Sequence, residues 1–175
     1  MSRIISGRFG GLYILNPKHQ IRPTTAKVKE YIFNVLQNLE GRYVIDLFCG
    51  TGALGIEAYS RNAKHITFVD KHPRSIQLTR ENLSKIKADP DDWLCVKTNA
   101  LSYFDRTKKT YDIILVDPPY DLPLNAEFFT QCREHLNSEG LVVLEYSSRV
   151  KPDFGTWEAE TIKKMGDTCV YFLRK

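Results

Sequence analysis

Strands alternating with helices over most of the chain predict an α/β fold built on a doubly wound, Rossmann-like sheet that is mostly parallel. Three observations carry this. Short valine, isoleucine and leucine runs recur along the chain, as strands buried on both faces require. Segments with helical spacing of apolar residues separate them, which implies parallel strands joined by right-handed crossovers. The first of these strands ends in a glycine-rich turn that leads straight into a helix.

Taken in order, residues 3–6 and 12–15 flank Gly7, Gly10 and Gly11 and predict a small N-terminal hairpin. Residues 25–39 form an amphipathic helix capped by Thr24 or Thr25, with Glu30 in its first turns. The core then alternates strand 43–48, helix 53–61, strand 65–70, helix 73–86, strands 93–97 and 111–117, helix 125–136 and strand 140–145. Pro73 suits a helical first turn. After residue 150 the pattern changes. Residues 157–164 and 168–173 are β-like runs around Met165-Gly166-Asp167, which predicts a C-terminal antiparallel hairpin on the sheet. All of 1–175 is expected to be one domain, with 1–40 a hairpin-and-helix extension and 41–175 the core.

Composition narrows the class. Apolar residues at 42% and charged residues at 26% are those of a globular protein able to bury a core without a staple. No apolar run approaches the ~18 residues of a membrane span, and the first residues lack the apolar core of a signal peptide. Cys49, Cys95, Cys132 and Cys169 are scattered, with no C-x-x-C pair, so neither a metal site nor a disulfide framework is expected. A reduced, cytoplasmic protein is the expectation. The net charge of +4 is mild, yet residues 1–29 hold Arg3, Arg8, Lys18, Arg22, Lys27 and Lys29 and no acid. That asymmetry points to a polyanionic partner.

Two motifs fall where a doubly wound sheet binds ligands, at the C-terminal ends of its strands. Asp46 is followed by Gly50-x-Gly52-x-x-Gly55, and Asp70 ends the next strand 20 residues after Gly50. An acid there suits ribose hydroxyls. A carboxylate at Asp46 would repel the pyrophosphate of a dinucleotide. It would attract S-adenosylmethionine, which carries an ammonium and a sulfonium, so a nicotinamide dehydrogenase is disfavoured. The glycines let backbone amides approach the ligand closely. Cys49 lies beside this turn and reads as a small buried filler.

The second motif is Asp117-Pro118-Pro119-Tyr120 at the end of a buried strand. The prolines remove two backbone donors and stiffen the turn. Asp117 and the Pro118 carbonyl can then both accept hydrogens from one exocyclic amine, steering its lone pair toward a methyl donor, while Tyr120 offers a stacking face to a flipped base. This motif speaks against a binding module without catalysis.

On these residues the chain resembles the bacterial small-subunit ribosomal RNA guanine-N2 methyltransferases. Asp117 to Tyr120 is similar to the signature of amino methyltransferases acting on adenine or guanine, and 46–55 to their S-adenosylmethionine motif. The resemblance extends to Arg3-Ile4-Ile5-Ser6-Gly7, to Arg22-Pro23-Thr24-Thr25 with Val28, Glu30, Phe33 and Asn34, and to Glu57-Ala58 with Ser60-Arg61. Asn82-Leu83, Asn99-Ala100 and Gly166-Asp167 follow the same pattern. Cys49 stands where alanine is common in that family, and Lys27 and Lys29 where arginine is frequent. The resemblance implies a methyltransferase sheet, S-adenosylmethionine as cofactor and small-subunit ribosomal RNA as partner, alone or in a partly assembled subunit. It further implies Asp70 on the ribose, Asn99 and Ala100 at the cofactor adenine, and Arg22 and Thr24 at the entrance. Asp46, Cys49, Gly50, Gly52, Asp70, Lys71, Asn99, Ala100 and Thr24 make the expected cofactor set. Asp117, Pro118, Pro119 and Tyr120 make the catalytic set, and Arg3, Arg8, Lys18 and Arg22 the RNA contacts. A monomer without metal or membrane is expected. The alternative is amino methylation of adenine in DNA or of another RNA; DNA enzymes of this kind usually carry an added recognition domain, for which 175 residues leave no room.

Overall fold

The computed structural model describes residues 1–16, 25–119 and 122–175. Along them run β1 (Ser2–Arg3), β2 (Tyr13–Ile14), α1 (Ala26–Leu36), β3 (Tyr43–Leu47), α2 (Ala53–Ser60), β4 (His65–Asp70), α3 (Pro73–Lys85), β5 (Trp93–Lys97), α4 (Ala100–Phe104), β6 (Tyr111–Val116), α5 (Ala126–Glu134), β7 (Leu136–Ser147), β8 (Thr161–Met165) and β9 (Thr168–Arg174). One sheet takes the order β5-β4-β3-β6-β7-β9-β8, and β1 pairs with β2 as a separate ribbon. Strands β3 to β7 are parallel and β9 pairs antiparallel with both β7 and β8. The order reverses between β3 and β6, so the crevice of a doubly wound sheet opens at their C-terminal ends.

Alternation along the strands sends side chains to two cores, one on each face. On β3, Val44 joins Ile56, Phe68, Leu115 and Phe172 on the side of α1 to α3. Ile45 and Leu47 join Ile114, Val116, Phe128 and Tyr146 on the other. Both faces are covered, which is why the strands read as continuous apolar runs. Among the described residues, no helix is long and apolar enough to cross a membrane.

Several elements differ from the sequence expectation, each for a local reason. Helix α1 stops at Leu36 rather than 39, because Gln37 turns to φ 56° while its N–H still bonds the Phe33 carbonyl at 2.9 Å. Thr25 is its cap, its hydroxyl accepting from the Val28 amide at 3.3 Å; Thr24 lies outside the described residues. Helix α5 ends at Glu134 with His135 as its C-cap, and strand β7 begins at Leu136, the residue expected to end the helix. Trp157 is not in a strand: its indole donates to the Arg174 carbonyl at 2.8 Å and its ring is buried, so its apolar spacing reflects packing. Helix α4 was not expected; Asn99 caps it by accepting from Ser102 N at 2.8 Å. The N-terminal ribbon pairs only two residues on each side. Glu145 is buried in β7 between β6 and β9.

Lys29 requires the largest correction. Expected on a basic surface, it is 2% exposed. Its Nζ donates to the Arg3 carbonyl at 2.7 Å and lies 3.4 Å from the Glu57 carboxylate. Burial pushes the Lys29 ammonium below its ordinary value, against the pull of Glu57. Glu57 also accepts from the amides of Ile5 at 2.7 Å and Ser6 at 3.1 Å, and from Arg61 Nε at 3.0 Å. One carboxylate on α2 thereby holds the N-terminal ribbon and α1 in place. Glu57→Ala should destabilise the fold by about 3–5 kcal/mol, since it strands a buried ammonium and two amides. Urea unfolding at pH 7 checks this; a loss under 1 kcal/mol would contradict the role.

Candidate active site

Three strands deliver carboxylates to the crevice. Asp46 on β3 is 1% exposed and its Oδ2 accepts from Gly55 N in α2 at 2.8 Å. Asp70 ends β4, taking Gly50 N at 3.0 Å on Oδ2 and His72 N at 2.8 Å on Oδ1. Asp117 follows β6 directly and is half-buried. Desolvation pushes the Asp46 carboxyl up to about 8; the Gly55 N–H opposes this, and the Asp117 and Asp70 carboxylates reinforce it. Such a site favours a cationic ligand, which relieves the repulsion among three like charges.

The glycine turn is shaped from both sides. Gly52 has φ 77°, and a Cβ there would sit 2.9 Å from Thr79 Cγ2 of α3. At Gly55 an added Cβ would collide with the Phe68 ring, so its absence lets α2 lie close on β4. Thr79 donates its hydroxyl to the Gly50 carbonyl at 3.2 Å, and Asn82 Nδ2 donates to the Thr51 carbonyl at 2.9 Å. Phe48, just before the turn, has φ 62°, a conformation that costs a non-glycine residue about 1–3 kcal/mol and clusters at functional sites. Its ring centroid lies 6.2 Å from that of Phe128.

The other expected site residues divide by place. Cys49 is buried with Sγ 3.6 Å from Thr79 Oγ1, and burial pushes its thiol well above the usual range, so no thiolate forms there. Lys71 is exposed beside Asp70. Asn99 is exposed as the α4 cap, Ala100 is buried behind it, and Thr98 N donates to the Asp70 carbonyl at 3.0 Å, tying that loop to β4. Pro118 is buried and Pro119 exposed, with the Pro119 carbonyl accepting from Leu122 N at 2.9 Å. Asp46, Gly50, Gly52, Asp70, Lys71, Asn99, Ala100, Asp117, Pro118 and Pro119 thus share the C-terminal ends of β3 to β6. Arg3 and Arg8 do not. Arg8 lies at the far end of α2, its guanidinium 4.5 Å from the Tyr59 ring and donating to the Tyr59 carbonyl at 3.1 Å. Thr24, Lys18, Arg22 and Tyr120 lie outside the described residues. Sequence reasoning gave no role to Thr79, Asn82 or Phe48. The available signal was a pair of polar residues three apart on the core side of α3.

The family model described as "Conserved hypothetical protein 95" matches residues 2–174. The chain belongs to this family. It is 33% identical over 147 residues to "Ribosomal RNA small subunit methyltransferase D" of Escherichia coli K12, covering 82% of this chain and 73% of that one. Its counterpart of the same name from Buchnera aphidicola subsp. Baizongia pistaciae is 34% identical over 126 residues, 70% of this chain and 63% of that one. The match therefore spans less than two thirds of the Buchnera protein. Among solved structures, yhhF of Escherichia coli superposes with TM-score 0.85 at 29% identity, over 99% of this chain and 97% of that one. The expected Rossmann-like methyltransferase fold is borne out.

The Asp46 carboxyl makes stability depend on pH. Its value is raised from 3.8 to about 8 on folding. Its stabilising contribution is therefore full below about pH 4 and is lost as pH rises through 8. Asp46→Asn keeps an oxygen for Gly55 N–H without the charge. The variant should melt above the parent at pH 9 and level with it or below at pH 5, in thermal scans without cofactor. Equal differences at both values would contradict a strained carboxylate.

Proposed function

We infer that this protein transfers a methyl group from S-adenosylmethionine to the exocyclic N2 amine of a guanine in small-subunit ribosomal RNA. The observation that carries the reading is Asp117-Pro118-Pro119 at the C-terminal end of β6, next to the buried carboxylates of β3 and β4. The residues present suit the cofactor, since two carboxylates flanking a glycine turn match an ammonium and a ribose. The bound cofactor supplies an electrophilic methyl on a positively charged sulfur.

Asp46 and the glycine-turn amides hold the amino-acid end, and Asp70 takes the ribose hydroxyls. The α4 loop at Asn99 and Ala100 borders the adenine; Asn99 commits Oδ1 to its cap and keeps Nδ2 to donate. Asp117 and the Pro118 carbonyl accept the two hydrogens of the target amine. This turns its lone pair toward the methyl and fixes a near-attack geometry, where most of the acceleration arises. Support for RNA as substrate comes from the names of the relatives, and for guanine N2 from the motif's likeness to amino methyltransferases.

Asp117→Ala should lower single-turnover methyl transfer to small-subunit ribosomal RNA by about 10²–10³, as loss of one preorganised polar group does. Cofactor affinity, measured by calorimetry, should change far less. Mapping the methylated nucleotide by mass spectrometry tests the substrate; a methyl on adenine, or none on RNA, would overturn the reading.

Arg3 and Arg8 lie exposed on the N-terminal ribbon, and Lys18 belongs to the same acid-free segment. Replacing all three by alanine should flatten the salt dependence of RNA affinity by about 0.7–0.9 in log–log slope for each lost phosphate contact. Arg8, already stacked on Tyr59, should contribute least of the three. An unchanged slope would remove the segment from the interface.

A further inference from the structure

We propose that Asn82 is a positioning residue that couples the cofactor turn to the N-terminal segment, so that cofactor and RNA each strengthen binding of the other. The RNA half of this rests on the function inferred above; the link to the cofactor turn does not. Asn82 is 0% exposed and bonded on both sides of its amide. Its Oδ1 accepts from Leu15 N at 2.7 Å, and its Nδ2 donates to the Leu15 carbonyl at 3.1 Å and to the Thr51 carbonyl at 2.9 Å. The side chain pairs with the Leu15 backbone as a neighbouring strand would, and the same nitrogen grips the glycine turn.

Position gives this link its consequence. Leu15 follows β2 directly, and the basic residues Lys18 and Arg22 come three and seven residues later in the chain. Thr51 stands between Gly50 and Gly52, in the turn whose amides would face the cofactor. Helix α3 spans the two with residues three apart on one face, which lie above one another on a helix. Thr79 holds the Gly50 carbonyl, Asn82 holds both segments, and Lys85 Nζ donates to the Tyr13 carbonyl at 2.6 Å. A cofactor that settles the turn thereby also settles Leu15, and RNA bound by the basic residues that follow Leu15 in the chain would hold Leu15 and, through Asn82, the turn. Linkage makes the effect reciprocal.

The test measures affinity for S-adenosylhomocysteine with and without saturating small-subunit ribosomal RNA. The unmutated protein should show at least about a fivefold gain with RNA, the low end of common coupling factors. Asn82→Ser should bring the ratio below about two, whereas Thr79→Val should weaken cofactor binding and keep the ratio. A purely structural role would lower stability and leave the ratio alone. Hydrogen exchange at the Leu15 amide of the unmutated protein provides a second readout should Asn82→Ser fail to fold. S-adenosylhomocysteine should slow it about tenfold or more, given one hydrogen-bonded opening coupled to binding. A ratio near one in the unmutated protein, a ratio preserved in Asn82→Ser, or Leu15 exchange indifferent to the cofactor overturns the proposal. Absence of any RNA affinity would instead count against the substrate reading, and Leu15 exchange would still decide the Asn82 link.

Discussion

The hydrogen bond from the Gly55 amide to the buried Asp46 carboxylate sets the geometry on which the crevice depends. It ties the end of β3 to the first turn of α2 across the glycine turn. A parallel sheet covered on both faces has no room for polar side chains along its strands, so they collect where the strands end. The register then does the rest. Asp46 lies level with Phe68 on β4 and Leu115 on β6, so Asp70 and Asp117 each emerge two residues later on the two flanking strands. Three carboxylates on three adjacent strands follow from where their strands stop.

The N-terminal ribbon is attached by a different kind of contact. It adds only Ile4 and Ile14 to the core as fully buried side chains, and its own pairing covers two residues on each side. Polar side chains of the neighbouring helices fasten it: Glu57 holds the amides of Ile5 and Ser6, Asn82 holds both backbone groups of Leu15, and Lys29 and Lys85 donate to the carbonyls of Arg3 and Tyr13. Buried polar groups with several partners of fixed geometry specify one arrangement where an apolar contact would tolerate many. The ribbon is consequently placed by α2 and α3, the two helices that also carry the glycine turn.

The order of strands and helices in the core was legible because burial on both faces leaves apolar runs, as at residues 113–116 of β6, and the expected strands 65–70 and 93–97 coincide in bounds with β4 and β5. The acids at the strand ends were legible for the same reason, each closing such a run. What failed was what depends on distant partners. Lys29 reads as a surface charge until Glu57, 28 residues away, is brought beside it. Trp157 has the spacing of a strand residue, yet its place is set by the Arg174 carbonyl. Asn82 shares its helical stripe with core residues, and nothing local shows that its amide pairs with Leu15, 67 residues earlier. The short α4 escaped because five residues are too few for helical periodicity, although Asn99 is a common cap type.

Two buried carboxylates on successive elements show how structure separates scaffold from site. Glu57 and Asp46 are both shut away from solvent. Around Glu57 stand Lys29, Arg61 and two amides, so its charge is met within the fold, as expected of a group that holds parts together. Asp46 accepts from the Gly55 amide and has two further carboxylates nearby, and desolvation drives its carboxyl up to about 8. A fold gains nothing in stability from gathering three acids at one crevice; carboxyls whose repulsion a cation would relieve are the arrangement expected of a binding site. The same comparison explains why the basic N-terminal segment lost one of its members. Lys29 was drawn inside to meet Glu57, whereas the crevice keeps its negative charge for a ligand that brings its own positive charge.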